Sequence, residues 1–369
     1  MVNELPPHPE LEGPHIRHAV TLPQFLDNLL TEVEQVDFDN GFIDHGKWHP
    51  EGIHIDMPEP DVPAKNATQA GNSDKRSTRP VTISVHQRVR SEGKRAWCAR
   101  TSYHHENEVT YDELDYRISR DHSIKEALYT PSVYDANLLL SYSSEVLDEV
   151  IKEIGAKHGL QELEMSIFEM FHKMPKVAGL GFLQDRVFHV LVVTAHSTSR
   201  SNNESEASPS VSDVPQSFTA QLPIDFESLS QLETISKRSH AVRKGSSTRY
   251  QYPEGSPGAK PATDVQRKSK GNKLTEGNYV SVERLRKARE TSPNGDTVPV
   301  GNLPESLDCR HRWDMMTLSD AGGITRIAPG NTAQNETLDA IAADVEYVLK
   351  HVAQTRSLKN GSQPSRTTE

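Results

Sequence analysis

The sequence predicts an α+β domain in which a curved antiparallel sheet wraps around a long C-terminal helix. Three observations carry this expectation. Leu338, Ile341, Ala342, Val345, Val348, Leu349 and Val352 recur at three- and four-residue steps within Asn335 to Gln354, so they share one broad helical face, while Glu336, Asp339, Asp344, Glu346 and Lys350 fall elsewhere. Just before that helix, Cys309, His311, Trp313 and Met315 alternate with Arg310, Arg312, Asp314 and Met316, the period of a half-buried strand. Further upstream, Val187-Phe188-His189-Val190-Leu191-Val192-Val193 is apolar on both faces, as a central strand is. A helix that needs one wide apolar groove, delivered after a run of strands, fits a sheet curled around it. This is the helix-grip arrangement, and such a sheet often leaves a cavity between itself and the helix.

The remaining elements follow in chain order. Thr21-Leu22-Pro23 opens a helix with Thr21 as N-cap, and Leu22, Phe25, Leu26, Leu29, Leu30 and Val33 form its apolar face. Residues 56–80, rich in Pro, Asn, Ser and charge, read as a linker. Val81 to His86 alternates as a strand, and Ser91-Glu92-Gly93 turns the chain into a second through Trp97, Ala99 and Thr101. Thr110 with Glu113 is a capping-box pattern for a helix from Tyr111, and a second short helix runs from His122 to Ala127, ending before Pro131. Tyr129 to Leu140 turns extended, Val146 to Ile154 reads as helix, and Leu163 to Phe171 as strand. Phe218 to Phe226 alternates, and Tyr279 to Lys287 supplies one more strand. Residues 1–20 and 356–369 are expected to be disordered ends of a domain spanning 21–355. Inserts at 197–215 and 228–273 are expected to be disordered loops between strands.

Bulk properties narrow the function. Only 34% of the 369 residues are hydrophobic, which limits the core to one domain with inserts and tails. The net charge of −11 excludes general nucleic-acid binding, which needs a cationic surface. Two cysteines, Cys98 and Cys309, cannot build a disulfide framework or a cysteine zinc site. No apolar run suits a signal peptide or a membrane span, so a cytoplasmic protein is expected, with nuclear entry through Arg267-Lys268-Ser269-Lys270 as a side possibility.

With the elements placed, several blocks become familiar. Glu169-Met170-Phe171-His172-Lys173-Met174-Pro175 precedes Arg186 to Ala195. Gly277-Asn278-Tyr279-Val280-Ser281-Val282-Glu283-Arg284 and Ser319-Asp320-Ala321-Gly322-Gly323 follow, and Tyr129-Thr130-Pro131 and Tyr134-Asp135-Ala136 come earlier. In this order, from about Trp97 to Val352, the chain resembles a fungal START-like family, of the Bet v 1-like superfamily, whose function is unknown. The resemblance implies a START-like helix-grip fold with an internal hydrophobic cavity. Relatives across that superfamily bind or move sterols, phospholipids, ceramides, plant hormones and polyketides.

The candidate sites follow from that fold. The cavity candidates on the strands are Phe168, Phe188, Val190, Val192, Leu222, Ile224, Val280, Val282, Trp313 and Met315, closed by Leu338, Ile341, Val345 and Leu349 from the last helix; the alternation leaves open which strand face points inward. Lys173 and Arg186 are the polar anchors, since cations suit a carboxylate or phosphate head group. Glu169 and His172 sit three apart on a strand and so face opposite sides, which prevents a joint metal site. His45, His49 and His54 match no standard zinc spacing, so no metal is expected. Asp320 to Gly323 lacks the pattern of a nucleotide loop, and no cofactor is expected. No nucleophile–base motif stands out, so the expectation is a non-catalytic carrier of a lipid or other hydrophobic small molecule. The alternatives are a protein-interaction module with a filled core, or a polyketide cyclase-like enzyme. Residues 237–273 hold ten Lys or Arg against Glu254 and Asp264, a stretch suited to transient contact with anionic membrane.

Overall fold

Strand register decides which residues of this chain meet. The computed structural model describes residues 5–12, 20–36, 42–48, 81, 83–88, 97–104, 108–174, 184–199, 214–243, 249–252, 273–287, 311–320 and 332–361. Among the described residues eleven strands form: β1 (Phe42–Trp48), β2 (Ile83–Arg88), β3 (Cys98–His104), β4 (Val133–Ser141), β5 (Leu160–His172), β6 (Asp185–Ser199), β7 (Val214–Pro223), β8 (Val242–Arg243), β9 (Arg249–Gln251), β10 (Lys273–Lys287) and β11 (His311–Asp320). They make one sheet in the order β1-β2-β3-β11-β10-β7-β6-β5-β4, with β9 on β10 and β8 on β9. The sheet is antiparallel except where Leu274 to Gly277 of β10 runs parallel to Asp185 to Phe188 of β6. It is curved and does not close on itself.

The helices are α1 (Leu22–Glu34), α2 (Tyr111–Ile118), α3 (His122–Tyr129), α4 (Ser144–His158), α5 (Phe226–Leu229), α6 (Glu233–Arg238) and α7 (Thr332–Gly361). Local chemistry sets their ends. The Thr110 hydroxyl accepts from the Glu113 N–H while the Glu113 carboxylate accepts from the Thr110 N–H, the reciprocal capping box expected from the sequence. Gly159 ends α4 at φ 63°, a left-handed position that favours glycine, and Ser143 caps its start.

Helices cover both faces of the sheet. On one face, here the inner face, α7 lays Leu338, Ile341, Ala342, Val345, Val348, Leu349 and Val352 against Ile83, Val85, Cys98, Leu285, Trp313 and Met315, with Leu114 and Ile118 of α2 beside them. Each fully buried aliphatic side chain of this kind contributes roughly 1.5–3 kcal/mol. On the outer face, α1 and α4 pack with α5, α6 and the N-terminal segment over Leu163, Met165, Ile167, Leu191 and Val193. This is an α+β helix grip, the expected architecture.

Four segments expected to be disordered contain ordered structure. The N-terminal stretch buries Leu5 and Leu11, and Tyr142 donates to the Pro6 carbonyl at 3.0 Å. The polar insert assigned to 228–273 contains the end of α5, all of α6, β8 and β9, and buries Leu229, Ile235, Tyr250 and Tyr252. Their apolar content is sparse but lies on one side, and the sheet's outer face supplies the partner. Strands β6 and β7 extend to Ser199 and from Val214, shortening the insert assigned to 197–215. α7 continues to Gly361, with Arg356 buried and paired to Glu113 of α2, so the C-terminal boundary at 355 lies inside a helix. The linker at 56–80, Cys309, His49, His54, Ala321 to Gly323, and 244–248 and 253–272 of the basic stretch lie outside the described residues.

Candidate functional site

Residues opposite one another across a ladder share a face. Val190 pairs with Phe168 and Val192 with Gln221, Gln221 with Ser281, Glu283 with Met315, and Met315 with Arg100. The inner face therefore carries Phe168, Phe188, Val190, Val192, Gln221, Ser281, Glu283, Trp313, Met315 and Arg100. Of the cavity residues expected from sequence, Phe168, Phe188, Val190, Val192, Trp313 and Met315 lie here; Trp313 and Met315 pack with Leu338, Ile341, Val345 and Leu349 of α7, and the other four pack with Ala127 of α3. Leu222, Ile224, Val280 and Val282 have the opposite parity and lie on the outer face. Ile224 and Leu222 join the outer core, and Val282 packs with Val33 of α1, Phe218 and Ala220. The face that alternation left open is thus resolved strand by strand, because the polar side of β7 and β10 is the inner one.

The inner face has three zones. On β5 and β6, Phe168, Met170, Phe188, Val190 and Val192 form an apolar cluster with Ala127 of α3. Phe188 lies so close to Gly277 that a Cβ there would sit 2.3 Å from its ring, so glycine is needed for the ring to lie flat on β10. On β11 and β3, Trp313 and Met315 meet α7. Between these apolar zones runs a polar band that no spacing in the sequence marks.

Arg100 is its centre. Its side chain is 0% exposed, its guanidinium carbon lies 3.8 Å over the Trp313 ring, and its nearest charge is Glu283 at 3.5 Å. Yet Nε and both terminal nitrogens make no hydrogen bond among the described residues, and neither does the hydroxyl of Ser281 on the inner face of β10. A buried guanidinium normally satisfies its five N–H donors, and leaving them open is costly. Burial lowers the Arg100 pKa, against the raising influence of Glu283, Asp344 of α7 and Tyr129 of α3. Glu283 accepts the Trp313 indole N–H at 2.8 Å.

A relay lies next to this pair. Tyr279 donates to the Gln221 carbonyl oxygen, and the Gln221 amide lies 2.8 Å from His122 Nε2. His122 Nδ1 lies 2.8 Å from the Ile118 carbonyl, which can only accept. His122 Nδ1 therefore donates to that carbonyl, and Nε2 faces the Gln221 amide. Glu126 and Glu283 each stand 3.7 Å from that Nε2.

Asp344, Tyr129 and Tyr279 keep some accessible surface, yet burial is the main cause of their raised pKa values. For Asp344 burial raises the pKa to about 7, with Arg100 opposing and Glu283 adding to the rise. These residues, from α3, α7 and β10, surround the same point as Arg100.

The expected anchors lie elsewhere. Lys173 is exposed just beyond the end of β5, and Arg186, though buried, hydrogen bonds to the Gln184 carbonyl at the start of β6. Among the described residues, no group of three or more His, Cys, Asp or Glu is arranged to hold a metal ion. No described helix is long and apolar enough to cross a membrane.

The chain belongs to the family described as "Protein of unknown function (DUF3074)", which matches residues 97–352. The crystal structure of human STARD10 is similar at a TM-score of 0.39 and 10% identity, over 96% of this chain and 88% of that chain. No curated protein matches the chain.

Proposed function

We propose that this protein binds, and carries between membranes, a lipid or other hydrophobic small molecule that bears one polar group. The ligand lies between the inner face of the sheet and helices α3 and α7. The observation that carries this reading is Arg100, a buried guanidinium whose N–H donors meet no hydrogen-bond partner among the described residues, in the polar band between two apolar zones. An apolar body fits against Phe168, Phe188, Val190 and Val192 or against Trp313 and Met315, and its acceptor group meets Arg100. This division into mostly apolar lining and a few convergent polar groups is how small-molecule sites achieve both affinity and orientation. Ser281 and the partly accessible Asp344 offer further hydrogen bonds to the same group. The proposed role is binding, with no covalent step; in its support, the His122 imidazole is engaged on both nitrogens, by Ile118 and Gln221.

The test is native mass spectrometry of the full chain from a eukaryotic host. A stoichiometric adduct released by organic solvent supports the proposal, and Val192→Trp, which fills the apolar zone beside α3, is expected to abolish it while circular dichroism stays unchanged. A clean ligand-free mass, with no uptake from a panel of sterols, fatty acids and phospholipids, would refute it.

A further inference from the structure

Helix α3 presents two unlike sides. His122 and Glu126 face the polar band, and Ala127 joins the apolar zone of β5 and β6. Ile124 and Leu128, one turn apart, are 36% and 56% exposed. Residue 124 lies about 200° around the helix from residue 122, so the exposed pair is on the far side of α3 from the site. α3 is thus a wall one helix thick. Tyr116 of α2, 60% exposed, extends the same surface, with the Lys125 ammonium 3.7 Å over its ring. On the edge strand β4, against which α3 packs, Leu138 is 41% exposed.

We propose that this α2–α3 surface docks on the face of a zwitterionic phospholipid bilayer, with Ile124, Leu128 and Tyr116 entering the interface, and that α3 is the gate through which the ligand passes. The inference rests on the ligand-carrier reading above. The choice of partner comes from charge. Around the apolar side chains stand Arg120 and Lys125, but also Asp112, Asp121, Glu162 and Glu164, all four exposed, with Arg120 already paired to Glu162. This rim is slightly acidic, so anionic lipid is disfavoured and apolar insertion supplies the binding. A tyrosine at the edge of an apolar patch suits the bilayer interface, since its ring inserts while its hydroxyl stays in water, and the buried Lys125 braces that ring from below. The gate also has a marked hinge. Asp121, between α2 and α3, adopts φ 49°, a left-handed conformation uncommon outside glycine, held by its N–H to Glu164 at 3.1 Å.

The experiment is flotation of the full chain with phosphatidylcholine vesicles, comparing the natural sequence with Ile124→Glu/Leu128→Glu. The bound fraction is expected to fall by about tenfold or more, since two apolar insertions are lost. Binding of the natural sequence is expected to be insensitive to salt and no stronger with added phosphatidylserine. As a second readout that does not depend on a disruptive change, Leu128→Trp is expected to gain fluorescence quenching by brominated phosphatidylcholine. Equal flotation of the glutamate variant, an indole in the Leu128→Trp variant that stays unquenched, or binding that requires phosphatidylserine and disappears in salt would each overturn the docking surface. The last outcome would assign membrane contact to the basic stretch at 237–273 instead. Adduct content by mass spectrometry is read separately, so failure of the carrier reading is distinguishable from failure of the docking surface.

Discussion

The two faces of the sheet each bury a charged cluster, one closed and one open. On the outer face, Glu169 is 0% exposed and accepts from four donors: Asn137 and the His240 N–H at 2.8 Å on one oxygen, Ser239 at 2.6 Å and His189 at 3.4 Å on the other. His189 is held on its other nitrogen by Glu276 and stacks on Phe226 at 3.7 Å. Asp135 accepts from Tyr252 at 2.7 Å and lies 2.8 Å from His240. On the inner face, Arg100 is buried as deeply, but its donors find no hydrogen-bond partner among the described residues. A saturated buried network specifies structure; here it fastens the α5–β9 segment to the sheet. An unsaturated one retains binding capacity for something else. Burial alone does not distinguish a site from a structural pin; the hydrogen-bond accounting does.

The largest expected effect comes from breaking the closed cluster. Glu169→Leu strips partners from Asn137, Ser239, His189 and the His240 N–H together, and should cost about 3–5 kcal/mol of stability in urea unfolding. If the loss is under about 1 kcal/mol, the outer network does not fasten the segment. The open cluster should behave in the opposite way. Arg100→Met with Glu283→Gln removes a buried pair that lacks good geometry, so stability should change by less than about 1.5 kcal/mol in either direction. The same change should weaken retention of the copurified ligand by roughly tenfold or more, the worth of a hydrogen bond to a charged group. A large stability loss with unchanged ligand content would make Arg100 structural.

Much of the fold was legible because its signals are local and periodic. The seven apolar residues of α7, the Thr110–Glu113 capping box and the doubly apolar β6 each announce an element without reference to the rest of the chain. The site was less legible. Choosing Val280 and Val282 as cavity lining treats β10 as covered on one face, with Ser281 and Glu283 on the water side. Both faces are covered, and Val282 packs on Val33 of α1 and its neighbours. The doubly apolar β6 was the signal that could have warned of this, because strands next to a doubly buried strand seldom keep one face in water. Arg100 was invisible for another reason. Its partners, Glu283, Trp313 and Asp344, lie far along the chain, and no spacing rule brings them together.

pH separates the two clusters further. Asp344 has a folded pKa of about 7, raised mainly by burial, against an unfolded value of 3.8. Between those values the folded state binds more protons, so this group makes stability fall as pH rises from about 4 to 7 and contributes no further change above. Asp344→Asn should remove that fall, read as the difference between the two unfolding profiles. The difference is needed because Asp314, where burial is outweighed by three neighbouring arginines, titrates in the reverse sense at lower pH. An unchanged profile would mean that Asp344 is hydrated and the inner space is open to bulk water.

The smallest effect belongs to His189. Burial lowers its pKa, but Glu169 and Glu276 outweigh burial and the net shift is upward from 6.5. A raised histidine contributes stability fully present below its unfolded pKa and lost as pH rises through its folded one. The closed cluster should therefore loosen as pH rises above about 6.5 and through the raised folded value. His189→Gln should flatten the fall above about pH 6.5 and leave the slope between about pH 4 and 6 intact. Amide exchange read on α6 should become less responsive to pH in the variant, because the segment fastened by Glu169 no longer depends on a titrating partner. Equal slopes above about pH 6.5 in both proteins would show that His189 is held by Phe226 stacking and packing alone, and that the outer face is closed by shape and not by charge.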